Sequence, residues 1–125
     1  MPKTKVVYFA DKDGRAPLLV CFDKWPKKAL DKCVVRIERL QETGHELRRP
    51  EADFLRDGIY ELRIKHLNVN YRILYFFAGK TAVLFDGLTK ESEVPAKEID
   101  KAILAKSLFA RDPAKHTYGE NDDED

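Results

Sequence analysis

The chain has 125 residues, close to the commonest size of one domain, and its 43% apolar residues suffice for a modest core without disulfide or metal staples. No apolar run reaches the ~18 residues of a membrane span, and Val6–Ala10 is too short for a signal-peptide core and lacks a small-residue cleavage site, so a cytoplasmic protein is expected. The net charge of +1 hides an asymmetry: residues 119–125 hold five of the 22 acidic groups and none of the 23 basic ones, leaving 17 acidic against 23 basic in the rest.

Residues 1–118 are therefore expected to form a single basic domain, and 119–125 an acidic tail without the apolar surface needed to order it. The tail reads either as a solubilising end or as a flap competing with phosphate for a basic face. Cys21 and Cys33 have no metal-ligand spacing and read as small buried apolar side chains. No cofactor motif or metal-ligand cluster is present in the sequence, so neither is expected.

Val6–Ala10 reads as a first strand. Leu18–Phe22 begins a short helix that Trp25-Pro26 interrupts. A longer helix is expected from Lys27 to Glu42, with Leu30, Cys33, Val34, Ile37 and Leu40 as its apolar stripe and Arg36 and Arg39 on its outer face. Gly44 supplies the stop. His45–Arg56 reads as polar and irregular, closed by the Asp57-Gly58 turn. Three strands follow, Ile59–Lys65, Val69–Phe77 and Lys80–Phe85, joined by short antiparallel connections. A final helix opens at Pro95 and ends at Asp112-Pro113, with Ile99, Ala102, Ile103 and Phe109 as its stripe. The fold class is α+β: an antiparallel sheet with helices packed on one face, in the order β-α-α-β-β-β-α.

Strand alternation puts Tyr60, Leu62, Ile64, Tyr71, Ile73, Tyr75 and Phe77 toward the helices, and Arg63, Lys65, Arg72, Leu74 and Phe76 on the open face. A turn centred on Leu67-Asn68 sets Arg63 opposite Arg72; a shift by two residues sets Lys65 there instead. Either way two cations meet across ~5 Å, which disfavours the fold but suits a polyanion. Leu74 and Phe76 on that face offer apolar or stacking contacts to bases of single-stranded RNA. The bland alternative is that Glu61 neutralises one arginine and the face is simply solvated. His116 and Tyr118, beyond the last helix, read either as an ordinary chain end or as groups folding back over the sheet to meet RNA.

The run Leu55-Arg56-Asp57-Gly58-Ile59-Tyr60-Glu61-Leu62-Arg63-Ile64 resembles the L-x-DG-[LIV]-YELR block of the RelE/ParE toxin superfamily, in its HigB-like, phage-related branch. Asn70-Tyr71-Arg72-Ile73-Leu74-Tyr75-Phe76-Phe77 is similar to the strand block that follows, and the likeness extends from about Leu55 to Phe109. It implies a RelE-like fold and the toxin of a type II toxin–antitoxin pair, cleaving mRNA on the ribosome and silenced by a helix-turn-helix antitoxin. By position, Arg63 and Arg72 match arginines that contact and cleave RNA, and Lys90 matches the first lysine of a "KK" pair. Asp86 stands where the family has histidine, and Glu91 where it has the second lysine; Glu93 also replaces a common lysine.

The catalytic set implied is Arg63, Arg72 and Lys90, with Lys65, Phe76, His116 and Tyr118 binding RNA. Metal-independent cleavage needs a base for the 2′-OH, cations for the phosphorane and an acid for the leaving oxygen. Arginine suits the second task, and Lys90 or Lys65 could serve as base where a cationic neighbour lowers its pKa. The alternative is a non-catalytic domain on the same fold that binds RNA, gyrase or another partner.

Overall fold

The computed structural model describes residues 4–89 and 93–119. Their elements, in chain order, are β1 (Lys5–Tyr8), α1 (Pro17–Phe22), α2 (Lys27–Thr43), β2 (Ala52–Arg56), β3 (Ile59–His66), β4 (Val69–Ala78), β5 (Thr81–Thr89) and α3 (Ala96–Arg111). One five-stranded sheet runs β1-β5-β4-β3-β2, with β1 parallel to β5 and the other pairs antiparallel.

The α+β class expected from sequence holds, and so does the register of the central hairpin: Ile64 pairs with Tyr71, Leu62 with Ile73, and Arg63 with Arg72. Two expectations are corrected. The stretch before Asp57 is not all irregular, because Ala52–Arg56 forms the edge strand β2. Asp57 (φ 53°) and Gly58 (φ 84°) both take positive φ, the backbone of a two-residue type I′ hairpin turn.

The helices also do not share one face. On one side α1 and α2 bury Leu18, Ala29, Cys33 and Leu40 against Leu62, Ile64, Ile73 and Tyr75. On the other, α3 lays Ile99, Ala102, Ala105 and Phe109 over Ile59, Leu74, Phe76 and Val83. The physical reason is visible in β4, which is apolar on both faces over Ile73–Phe76; a wet face there would expose Leu74 and Phe76 to water. The α2 stripe is narrower than expected, since Val34 is exposed.

Local choices fix these elements. Pro26, extended, precedes α2, and Gly44 ends it in a positive-φ conformation while its N–H bonds Leu40 O. Gly87 on β5 faces α1 so closely that a Cβ there would sit 2.7 Å from Trp25. At 16 residues, about 24 Å, α3 does not cover the whole sheet face. Beyond it lies the end of the β3–β4 hairpin that carries Arg63, Lys65, Asn70 and Arg72.

Candidate nucleic-acid interface

Arg63 and Arg72 are direct cross-strand neighbours on the α3 side of the sheet, and they differ sharply in environment. Arg72 is buried, and its Nη1 donates to the equally buried Glu61 across 2.7 Å. Arg63 has a side chain 38% exposed, and its Nε lies 4.0 Å from the same carboxylate. Of the two sequence readings, the one in which Glu61 neutralises one arginine holds, and that arginine is Arg72. A buried carboxylate between two guanidiniums offsets the repulsion of a like-charged pair. Arg72 Nε is also buried and bonded to nothing among the described residues, so that donor remains unspent.

Two clefts meet at this pair. The first, ≈ 320 Å³, is lined by Arg36, Arg63, Lys65, Asn70, Tyr71 and Arg72 among others, with no carboxylate on its lining among the described residues. It opens because β2 pairs with β3 only over residues 59–62, leaving the far end of β3 as an uncovered edge. There a single contact, Arg63 N–H to Glu51 O at 2.9 Å, anchors the neighbouring chain. Arg36 reaches this edge from α2 and is tethered at 3.3 Å by Glu51, which also holds Arg39. Those bonds keep the Glu51 carboxyl below its ordinary range.

The second cleft, ≈ 570 Å³, lies between β2, β3 and the approach to α3. Arg63 and Arg72 border both clefts. Three further charged groups on its walls are already engaged: Arg49 with Asp53 at 2.8 Å, and Arg56 with Asp57 at 3.0 Å and Asp100 at 2.6 Å. The Arg49 hydrogen bond holds the Asp53 carboxyl below the usual aspartate range.

The remaining expected site residues divide. Lys65 is exposed and lines the first cleft, as the alternation argument required. Lys90 and Glu91 lie outside the described residues, as do the acidic residues of the tail, and so does any pairing of Lys90 with Asp86. Phe76 is corrected: it is fully buried beneath α3, edge-on to Phe109 with ring centroids 6.0 Å apart, and has no surface for a base. His116 and Tyr118 do not fold over the sheet. Their segment pairs along the outer edge of β1, through Ala10 N–H to His116 O and Tyr118 N–H to Tyr8 O, both 2.8 Å. His116 is buried, stacked on Phe9, with Nδ1 2.7 Å from Ala10 O. The strands β1, β5 and β4 separate it from Arg63.

Asp86 is half-buried, bonded through Oδ1 to Gly87 N–H at 2.8 Å and to the Cys21 thiol at 3.4 Å. Burial pushes its carboxyl above the ordinary aspartate range. Sequence reasoning missed Arg36, which it placed on a solvated helix face, and the β2 residues of the second cleft. The Asp57-Gly58 dipeptide was the available signal for the latter, since a type I′ turn implies a strand on either side.

A sheet covered by helices on both faces, with Arg63, Lys65, Asn70 and Arg72 at one end of its central hairpin, defines an α+β domain with a basic corner. The family model described as Phage derived protein Gp49-like (DUF891) matches residues 22–106, more than half of the chain. The chain belongs to this family, a family of RelE/HigB-like toxins. No curated protein matches it.

Proposed function

We propose that the protein is the toxin of a type II toxin–antitoxin pair and acts as a ribosome-dependent mRNA endonuclease in the cytoplasm, cleaving through attack of a 2′-OH. The observation that carries this reading is the cleft bordered by Arg36, Arg63, Lys65 and Arg72, whose lining has no carboxylate among the described residues. Arg63 and Lys65 supply the less compensated charge there, and Arg36 and Arg72 add guanidiniums that Glu51 and Glu61 hold in place, a set suited to a ribonucleotide backbone. Family membership supports an antitoxin partner, for which a helix-turn-helix protein is the expected kind.

In this reading Arg72, held still by Glu61, presents fixed positive charge to the phosphorane, where a preorganised donor lowers the barrier most. Arg63, half free, engages the phosphate as it arrives and follows its charge into the transition state. Lys65 adds field from the rim. A neutral Lys90 or Lys65 is assigned the proton of the 2′-OH, and the ammonium so formed returns it to the leaving 5′-oxygen.

Induction in a bacterium, with mRNA 5′ ends mapped in stalled ribosomes, tests the proposal. New ends should appear with the native chain and vanish with Arg63→Ala. DNA damage with intact mRNA would select a gyrase inhibitor instead. One observation favours a non-catalytic RNA binder, the neutralisation of Arg72 by Glu61; harmless induction without new ends would select it.

A further inference from the structure

We infer that the second cleft is a nucleobase subsite, seating the base of a nucleotide whose phosphate lies in the first. This inference rests on the reading of the first cleft as an RNA-backbone site. Two concavities of opposite character share one wall, the Arg63–Arg72 pair. The first has cations and, among the described residues, no carboxylate on its lining. The second sets Asp53, Glu61 and Glu93 against its arginines.

That mixture of donors and acceptors suits a nucleobase better than a second phosphate. Arg49, Arg56 and Arg72 each have a carboxylate within 3.0 Å, and only Arg63 lacks one at that range. A phosphate entering here would meet neutralised arginines and three anions. A nucleobase meets what it needs. Leu55, Val94 and Ile99 form an apolar wall for its face, Val94 and Ile99 being themselves only 8% exposed. Carboxylates and guanidiniums stand at the edges as acceptors and donors.

The donor and acceptor pattern ranks the bases. Guanine carries two adjacent N–H donors, on N1 and N2, which one carboxylate accepts in parallel, and its O6 and N7 accept from a guanidinium. Cytosine and adenine offer a single exocyclic amine to a carboxylate. Glu93 is exposed at the rim, and Asp53, with a side chain 24% exposed, has further lone pairs beyond its bonds to Arg49 and Phe54 N–H; these two are the acceptors a base can reach. Arg63 belongs to both clefts and links the base to its phosphate.

Methyl and amide NMR of the full chain with 5′-GMP, 5′-CMP and inorganic phosphate separates the clefts. Phosphate should move Lys65 and Asn70 amides only. 5′-GMP should also move Leu55 and Val94 methyls, at several-fold lower concentration than 5′-CMP. If 5′-GMP moves only the signals that phosphate moves, the subsite does not exist. In the induction experiment, Asp53→Asn should lower the nucleotide preference at one position beside the cut by about tenfold; an unchanged preference overturns the inference. If no cuts appear while 5′-GMP still reaches Leu55 and Val94, the nuclease reading fails and the subsite stands. If cuts appear and those methyls stay still, the reverse holds.

Discussion

The Arg72 guanidinium donates to the Glu61 carboxylate across 2.7 Å in a place where both side chains are buried. Removing one partner of such a pair strands the other charge away from water. Glu61→Ala should therefore cost about 3 kcal/mol of stability, read by chemical denaturation. The double variant Glu61→Leu/Arg72→Leu should recover much of that loss, because neither charge is then left unpaired. A double variant as unstable as Glu61→Ala would show that the pair is not the source of the cost.

Arg63 sits one strand away from Arg72 and should behave oppositely. Its side chain is 38% exposed and its nearest carboxylate is 4.0 Å off, so Arg63→Ala should change stability by no more than about 0.5 kcal/mol. RNA affinity should fall nonetheless, and the slope of log affinity against log salt should drop by about 1, as for one lost phosphate contact. A salt slope equal to that of the native chain would remove Arg63 from the interface.

His116 should matter to the fold and not to RNA. His116→Ala loses the 2.7 Å hydrogen bond to Ala10 O and the stack on Phe9, at a cost of about 1.5 kcal/mol. Amide exchange should accelerate at Ala10 and Tyr118 while the β3–β4 ladder keeps its protection. RNA affinity measured well below the melting temperature should equal that of the native chain; a loss there would bring His116 back into the site.

Asp86 gives a pH dependence of definite sign. Burial raises its carboxyl above the ordinary value, with the Gly87 N–H bond opposing that shift in part. The unfolded chain ionises it more readily, so at neutral pH its charge favours unfolding. Asp86→Asn should therefore raise the denaturation midpoint at pH 7. The advantage should shrink as pH falls through the raised value and close near the ordinary aspartate value of about 3.9, where both states are protonated. An advantage independent of pH would trace to packing instead.

Much of the fold was legible because it rests on short-range rules. The hairpin register follows from pairing Leu62 with Ile73 and Ile64 with Tyr71, and it sets Arg63 against Arg72. What alternation could not reveal was which face α3 would cover. Leu74 and Phe76 sit in the same alternation set as Arg63 and Arg72, and only tertiary packing divides that face into a buried half and a wet half. Alternation allowed Glu61 to neutralise one arginine without showing which. Glu61 stands two residues from Arg63 in sequence, but its partner is the arginine across the ladder. His116 misled because a histidine near a chain end gives no sign that Ala10 and Phe9 will receive it.

The seating of β1 ties together parts of the chain that are far apart in sequence. One edge of this strand lies on β5 and the other meets the segment around Thr117, so each of these distant stretches holds the other in place. The β3–β4 hairpin that carries the cationic corner closes instead on contacts local in sequence. Loosening the Thr117 contact should therefore fray the outer edge of β1 while Arg63 and Arg72 stay paired.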